Sequence, residues 1–334
     1  MLRGSVSFLL CTFIALSMVT QPKIAEAQLT TNTVDFDITA IINCTVPENT
    51  EPAIEDLICR ILYPCMLDQF VESERFMDEL FVGYRNDMPA FFRNQLDEPV
   101  ILVCEIIDID GPGNVLAQAS PGIDANMDGI NDPGSILTLQ PNPFLRRRGG
   151  FRAWAMTRIG LIQFDVDDMA FMILSDTLQE VTVHEAYHAL GHPSLFAASD
   201  LNGVTNVFNQ VNFNGDGNGI NGVGFGLTEF RAESGNPFAS FIPLSQNDGS
   251  AHLSAFEPSF RREAEGFQEA FIPTAPPPGV LGFTSRALQG MFADLGFLIK
   301  GVNSPGFLDL DGDGIEDDPL VINPTFDLDC DPTN

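Results

Sequence analysis

Residues His184–His192, with the sequence HEAYHALGH, decide how the rest of this chain is interpreted. His184 and His188 are four positions apart, so on an α-helix their rings project from one face, one turn apart. Two imidazoles placed in this way can bind one zinc ion, and the glutamate between them can act as general base on a water that the ion activates. We therefore predict that both histidines are metal ligands and that Glu185 is catalytic.

The flanking residues predict that this motif lies on a helix. Thr177-Leu178-Gln179-Glu180 has the form of a capping box, in which Thr177 is the N-cap and Glu180 reaches back to it. Gly191 is the expected end of the helix, because glycine adopts the left-handed conformation at low cost. Pro193 would prevent the helix from continuing. The chain is thus expected to turn immediately after the second ligand.

A catalytic zinc ion needs a third protein ligand, and the residues alone leave several choices open. His192 lies eight positions after His184, about 12 Å along a helix axis, and would reach the ion only if the helix broke sharply. Glu229 or Glu233 could complete the site, as glutamate does in other zinc enzymes. His252 is the only other histidine of the chain, and it lies in a predicted loop.

The remaining sequence predicts an α+β protein. Apolar β-branched runs predict buried strands over Val100–Ile109 and Gly160–Val166, and helical spacing of apolar residues is typical of 53–96. The Asn- and Gly-rich stretch 197–250 is expected to form loops, and Ser285–Phe297 a last helix. Core positions predicted for 53–96 are Leu57, Ile61, Phe70, Phe76, Leu80 and Phe91.

Several segments resemble, in the same order along the chain, the leishmanolysin-like metallopeptidases of the metzincin clan, especially their secreted bacterial members. The similarity spans roughly 105–300, and residues 28–104 and the 124–132 loop match nothing in it. The segments that carry it are DIDGPGNVLAQA at Asp108–Ala119, GLIQFD at Gly160–Asp165 with Asp168 after it, the HEAYH helix, GSAHLS at Gly249–Ser254, and the closing helix at Ser285–Phe297.

This resemblance implies a zincin/metzincin-like, two-lobed catalytic domain with a mixed β-sheet and an active-site helix. It implies that His252 is the third zinc ligand and that the chain is a zinc metalloendopeptidase acting on protein or peptide substrates. The family's Met-turn should fall near 269–272, where Phe271 stands in place of methionine. The alternative function is a catalytically weak or inactive zincin that serves as a calcium-dependent binding or adhesion module.

Two acidic loops predict calcium sites, because alternate carboxylates in a tight loop converge on a hard cation. One lies in the tail, and position twelve of its repeat is Leu320 rather than the glutamate of an EF-hand, so it resembles thrombospondin type 3 or dockerin loops. The predicted ligands are Asp309, Asp311, Asp313 and Asp317 in the tail and Asp124, Asn126, Asp128 and Asp132 in the earlier loop.

Composition and the N-terminus predict an exported protein. Residues 1–27 have the basic start, short apolar run and small-x-small cleavage pattern of a signal peptide, which predicts a secreted, extracellular or periplasmic location and no stable membrane insertion afterwards. The net charge of −30 disfavours binding to nucleic acid. We expect a monomer with a metallopeptidase domain over 28–300 and an acidic calcium-binding tail over 301–334.

Overall fold

The computed structural model describes residues 36–40, 63–86, 88–96, 99–113, 115–122, 136–139, 154–175, 177–191, 212–213, 219–221, 224–245, 252–254, 257–262, 267–273, 280–309 and 320–322. All of these fall in one compact unit, Asn32–Asn334. The predicted signal peptide, the 124–132 calcium loop, His192, and tail residues Asp311, Asp313 and Asp317 lie outside the described residues.

The chain is an α+β protein, as its sequence predicts. The helices are α1 (Tyr63–Leu80), α2 (Ala90–Arg93), α3 (Met169–Leu174), α4 (Leu178–Ala189), α5 (Phe225–Glu233) and α6 (Arg286–Leu295), with a 3₁₀ turn at Pro258–Phe260. The strands are β1 (Phe36–Ala40), β2 (Phe81–Tyr84), β3 (Val100–Ile107), β4 (Ala117–Pro121), β5 (Ile136–Leu139), β6 (Trp154–Thr157), β7 (Ile159–Asp165), β8 (Asn212–Phe213), β9 (Gly219–Asn221), β10 (Ile242–Pro243), β11 (Arg261–Arg262), β12 (Phe267–Glu269), β13 (Leu281–Thr284), β14 (Phe297–Ile299) and β15 (Leu320–Val321).

A four-stranded mixed sheet lies beside the helix that carries the HEAYH motif. Its order is β1-β3-β7-β4, with β1, β3 and β7 parallel and β4 antiparallel to β7 at the edge. Leu102 of β3 and Ile162 and Phe164 of β7 are fully buried. Burial alternates along β7, so one of its faces packs into the core and the other is only partly covered. Cys104 on β3 is a buried free thiol whose pKa is raised by burial to about 12.

A second mixed sheet, with the order β11-β12-β13-β15, lies on the C-terminal side of the chain. Its strands β12 and β13 are parallel, and β15 pairs antiparallel with β13. The tail residues of β15 are therefore part of this sheet. Beyond β15, Ile322 accepts a hydrogen bond at its carbonyl from Gln179 Nε2, at 3.0 Å, so the same segment also contacts the start of α4.

The closing helix α6 and its neighbours form much of the core. Phe292 on α6 packs edge-on against Phe81, with ring centroids 5.2 Å apart, and also contacts Tyr187 of α4. Asp294 of α6 accepts hydrogen bonds from the backbone nitrogens of Phe225 and Gly226, at 2.9 and 3.0 Å, which fixes the start of α5 against α6. The antiparallel pairs β2–β14 and β5–β6 and the small sheet β8-β9-β10 complete the described structure.

Two predictions about this framework are wrong. Phe91 was expected in the core but is 57% exposed on the four-residue helix α2, whereas Phe70, Phe76 and Leu80 are buried as predicted. The 197–250 stretch was expected to be loops, but it contains α5, whose buried face is formed by Gly226, Leu227 and Phe230 against α6. Leu57 and Ile61 lie outside the described residues.

Candidate metal centre

Helix α4 brings His184 and His188 to one face, as their spacing predicts. The helix ends with Leu190 as C-cap, and Gly191 follows with φ of 110°, the left-handed conformation expected of a helix stop. Helix α4 packs closely on the four-stranded sheet, since a Cβ atom at Gly160 of β7 would lie 2.8 Å from the Cβ of Ala189. Only glycine at this position lets the strand and the helix approach so closely.

The predicted capping box at the start of α4 does not form. Thr177 is the N-cap residue, but its side chain makes no capping hydrogen bond. The carboxylate of Glu180 instead accepts a hydrogen bond from the backbone nitrogen of Gly282 on β13, at 2.6 Å. The tertiary contact replaces the local one, because a buried carboxylate that reaches a strand N–H satisfies a group that would otherwise be unpaired.

Three histidines converge on one point. Nε2 of His252 lies 3.0 Å from Nε2 of His184 and 3.0 Å from Nε2 of His188, and the ligand atoms of all three residues lie within 4.8 Å of one another. This group can hold a metal ion. The separation fits a common ion, since two nitrogens that are each about 2.0–2.1 Å from zinc lie about 3–3.5 Å apart.

The tautomer of His184 is set by a backbone carbonyl. Nδ1 of His184 lies 2.6 Å from the carbonyl oxygen of Ala270, which can only accept, so Nδ1 carries the proton. Nε2 therefore presents a lone pair to His252 and His188. A single proton on Nε2 of His252 could not satisfy both neighbours fully, whereas a cation between the three nitrogens would satisfy all of them.

His252 is held in place by two flanking stretches of backbone. The carbonyl of His252 accepts a hydrogen bond from Ser245 N at 2.9 Å, and Ser254 N donates to the carbonyl of Pro243 at 3.1 Å. On the other side, Leu253 N donates to the carbonyl of Phe271 at 3.0 Å. The short segment 252–254 is therefore fixed between 243–245 and the turn at 269–271.

Phe271 forms the floor of the site. Its side chain is fully buried, and its ring centroid lies 5.1 Å from that of His184, 4.6 Å from that of His188 and 5.5 Å from that of His252. One aromatic ring thus contacts all three imidazoles from below. An apolar floor of this kind restricts ring rotation and lowers the local dielectric constant around the nitrogens.

Glu185 lies beside the three nitrogens in a dry environment. Its Oε1 is 4.0 Å from Nε2 of His184, and the residue is only 6% exposed. Burial raises the pKa of Glu185 to about 8. Its Oε2 is buried without a hydrogen-bond partner among the described residues. A buried carboxylate oxygen of this kind is costly in isolation but fits a site that takes up a cation and a water.

The other residues considered for the third ligand are used elsewhere or lie outside the described chain. Glu233 accepts a hydrogen bond from Ala287 N at the start of α6, and neither it nor Glu229 belongs to the histidine group. Burial raises the pKa of Glu229, a group half buried on α5. His192 lies outside the described residues, and so do all the predicted calcium ligands except Asp309.

Sequence reasoning missed a second carboxylate cluster at the end of β7. Oxygens of Asp108, Asp165 and Asp167 lie within 4.8 Å of one another. Burial raises the pKa of Asp165, but backbone N–H donors, including those of Asp110 and Asp167, outweigh burial and hold it below its ordinary value. The central carboxylate thus anchors the 108–111 loop to the strand. The Asp-x-Asp spacing was visible in the sequence, but this backbone role was not.

Sequence reasoning also missed Glu269, Thr284 and Ser285, which lie beneath the site. The hydroxyl of Tyr187, on α4, forms a 2.6 Å hydrogen bond with Thr284 Oγ1, and the fully buried Glu269 accepts hydrogen bonds from Phe271 N and Ser285 N. The only signal in the sequence was a glutamate inside an apolar stretch.

A comparison with protein-family profiles and a comparison with curated proteins both find no match for this chain. Among the described residues, no helix is both long and apolar enough to cross a membrane. Because neither comparison finds a match, the function of the site has to be inferred from its own chemistry.

Proposed function

We propose that this protein is a secreted zinc-dependent metalloendopeptidase with a zincin fold of the leishmanolysin-like type. The observation that carries the proposal is the convergence of three imidazole nitrogens beside a buried glutamate. Three protein ligands with a free fourth position are typical of catalytic zinc sites, whereas structural zinc sites are closed by four. Zinc binds histidine nitrogen well, whereas calcium prefers oxygen ligands, so three histidines favour zinc.

His184, His188 and His252 would hold the ion, with Ala270 fixing the ligand tautomer of the first. When bound, zinc acidifies water and polarises a carbonyl group. Glu185 would take the proton from the attacking water and return it to the departing amine. A zinc ion bound by the neighbouring histidines would lower the pKa of Glu185 from about 8 and favour the carboxylate that this role needs.

A peptide substrate is supported by the edge strand β4. This strand is the last one on its side of the described sheet, and it packs against α4, the helix that carries two of the ligands. Gln118 and Ser120 on it are exposed. An extended peptide could add to such an edge by main-chain hydrogen bonds, which bind many sequences without strong selection of side chains.

The expected setting is outside the cell, as a monomer. The apolar run and cleavage pattern within 1–27 support export, and the net charge of −30 disfavours nucleic acid as a partner. Calcium binding by the 124–132 and 309–317 loops stays a prediction from their carboxylate spacing. A calorimetric titration of the whole metal-free protein with calcium would test it.

The second candidate function is a weak or inactive zincin that acts as a calcium-dependent binding or adhesion module. The observation that favours it is the bulky ring of Phe271 beneath the three histidines, at the position where the resembled family has methionine. A changed floor can alter ligand angles and leave metal binding without efficient chemistry. Glu185 argues for catalysis, since metal binding alone does not need a buried general base.

Cleavage of casein with and without a chelator separates the two functions. Wild-type protein should cleave it, lose activity with chelator and regain it with zinc. Glu185→Gln should keep zinc but lose about 10²–10⁴-fold in rate, because an amide cannot take the proton. Glu180→Gln is the matched control, since this buried carboxylate on the same helix hydrogen-bonds Gly282 N, and an amide oxygen can keep that bond.

A wild-type protein that binds one zinc ion and cleaves no unfolded protein would favour the binding module. Equal cleavage by wild type and Glu185→Gln would remove the proposed mechanism. A loss of activity in Glu180→Gln as large as that in Glu185→Gln would mean that the assay reports damage to helix α4 rather than loss of a base.

A further inference from the structure

Glu269 is a carboxylate whose side chain lies in the buried core. It ends strand β12, and its exposed fraction is 0%. Burial, and to a smaller extent the like charge of Glu233, raise the pKa of Glu269, whereas hydrogen bonds from Ser285 and Phe271 favour the carboxylate and oppose the rise. Placing an ionisable group here is unfavourable unless its hydrogen bonds do something that an apolar side chain could not.

The two oxygens of Glu269 serve two different segments. Oε1 accepts a hydrogen bond from Phe271 N, two residues ahead, at 3.0 Å, and so closes the turn at 269–271. Oε2 accepts one from Ser285 N, the N-cap residue of α6, at 2.5 Å. The negative end of the side chain thus lies at the positive end of the closing helix and ties the turn to it.

That turn makes contact with every ligand of the candidate metal centre. The Ala270 carbonyl of this turn accepts a hydrogen bond from His184 Nδ1 at 2.6 Å, and its Phe271 carbonyl accepts one at 3.0 Å from Leu253 N, next to His252. The ring of Phe271 lies beneath all three imidazoles. A shift of the turn would therefore change the orientation of one ligand and the position of another together.

We infer that Glu269 is the positioning residue of the metal centre: its carboxylate fixes the 269–271 turn and, through it, the tautomer of His184 and the place of His252. This inference rests on the metal-binding part of the proposed function and not on peptide cleavage. Glu269 itself does not touch the ion. It acts through the backbone of Ala270 and Phe271, as an outer group that holds ligands in geometry.

The chemistry of the hydrogen bonds explains why a carboxylate is needed. The groups that donate hydrogen bonds to Glu269 are the backbone N–H groups of Phe271 and Ser285 and the hydroxyl of Ser285, so both of its oxygens accept. Glutamine has nearly the same shape but offers one acceptor and one donor, and its NH₂ group would face an N–H. The Glu269→Gln substitution therefore removes one support of the turn while leaving the packing volume almost unchanged.

The test is zinc affinity, measured by competition with a chromophoric chelator, in the full-length Glu269→Gln protein. We expect zinc to bind about 10–100-fold more weakly than in wild type, the range for loss of a group that orients ligands. The visible absorption of the cobalt-loaded protein should also change, because it reports ligand geometry. Thermal unfolding of the metal-free protein shows how much of each sample is folded.

Glu233→Gln is the matched control. Its carboxylate lies at the start of α6, where it accepts a hydrogen bond from Ala287 N that an amide oxygen can keep, and the substitution removes the same charge as Glu269→Gln does. The zinc affinity of this variant should stay within about threefold of wild type. Its cobalt spectrum should be the same as that of wild type. If Glu269→Gln does not fold, Glu269→Asp, which keeps the charge but is one methylene shorter, takes its place with the same expectation.

Wild-type zinc affinity and cobalt absorption in a folded Glu269 variant would overturn the inference and leave Glu269 as a core residue only. Equal losses in Glu233→Gln would do the same, since the effect would then belong to the helix and not to the turn. The failure of the proposed peptidase is seen separately, in a wild type that binds zinc and cleaves nothing. A wild type that binds no zinc overturns both before any variant is compared.

Discussion

His184 and His188 are carried by a helix of twelve residues, whereas His252 lies in a segment of three described residues that is fixed by hydrogen bonds to its neighbours. The spacing of the first pair is set by the helix repeat, so it survives small shifts of the surroundings. The place of the third ligand depends on two other segments, 243–245 and the turn at 269–271. One half of the site is thus ordered locally and the other half by tertiary contacts.

This difference has consequences for how the site responds to change. A substitution on the helix face alters one ligand at a time, because the helix backbone keeps the other in place. A substitution beneath the turn changes His252 and the tautomer of His184 together, since both depend on the backbone of 270–271. The weakest part of the candidate metal centre is therefore remote in sequence from the motif that reveals it.

The largest expected effect is the loss of zinc binding in His252→Ala. Loss of a group that only orients a ligand weakens metal binding by about 10–100-fold. Removal of a direct ligand should weaken zinc binding by more than this. His188→Ala should do the same, and both proteins should stay folded without metal, because each histidine is only partly buried. Chelator competition and thermal unfolding measure the two quantities.

A His252→Ala protein that binds zinc as tightly as wild type would show that the third ligand lies elsewhere. His192, Glu229 and Glu233 would then be tested by the same substitution. A His188→Ala protein that keeps zinc while His252→Ala loses it would reverse the comparison, and the helix pair would no longer be the stable half of the site.

The second prediction concerns the floor of the site. Phe271→Ala should lower the free energy of unfolding by about 3–5 kcal/mol, the usual cost of removing a buried phenylalanine ring. Phe271→Met should cost less than about 1.5 kcal/mol, because methionine is apolar, similar in size and adaptable. Urea unfolding of the metal-free proteins gives both values, provided that the slope of unfolding free energy against urea concentration is the same in each protein.

Activity of the same two proteins bears on the choice between peptidase and binding module. If Phe271 is what weakens catalysis, Phe271→Met should cleave casein faster than wild type while Phe271→Ala cleaves it more slowly. An unfolding free energy of Phe271→Ala within about 1 kcal/mol of wild type would mean that the ring is not the packing element described here.

The third prediction is a dependence of stability on pH in the metal-free protein. Burial raises the pKa of Glu185 from the ordinary value of 4.5 to about 8. Between these values the folded protein holds a proton that the unfolded chain has released, so unfolding is favoured as pH rises. The stabilisation is complete below pH 4.5 and is lost as pH rises through about 8.

Thermal unfolding in chelator at pH 5.5 and pH 8.5 checks this. The difference in melting temperature between the two pH values should be smaller for Glu185→Gln than for wild type. Zinc should reduce the difference as well, because a cation beside Glu185 favours its ionised form in the folded state. A metal-free protein that is more stable at pH 8.5 than at pH 5.5 would contradict the prediction.

The sequence was sufficient for those parts of the site that local geometry controls. The structure agrees with the spacing of His184 and His188 and with the stop at Gly191. The strand predicted over Val100–Ile109 also forms, but it ends at Ile107 and its last residues are only partly buried. The role of Glu269 could not be predicted, because two of its partners, Phe271 N and Ser285 N, are backbone groups. Nothing in a side-chain pattern shows which buried N–H a carboxylate will meet.

The start of α4 shows the same limit from another side. Thr177 and Glu180 have the spacing of a capping box, yet Glu180 bonds to Gly282 N on a distant strand. Helix α5 was missed because the Asn- and Gly-rich composition around it suggested loops, while its helical order comes from packing on α6 and from Asp294 at its first turn. Tertiary contacts override local preference in both cases.

The smallest expected effect compares the N-caps of the two helices that frame the site. Ser285 accepts a hydrogen bond from Leu288 N with its side chain, at 3.2 Å, whereas Thr177 makes no capping bond. Ser285→Ala should therefore lower the unfolding free energy by about 0.5–2 kcal/mol. Thr177→Ala should lower it by only about 0.5 kcal/mol, because its hydroxyl caps no helix N–H and bonds, in a partly buried position, to the Ser175 hydroxyl and the Met172 carbonyl. Urea midpoints of metal-free protein decide between these values. A larger loss in Thr177→Ala than in Ser285→Ala would restore the local cap of α4 and weaken the view that tertiary contacts fix its start.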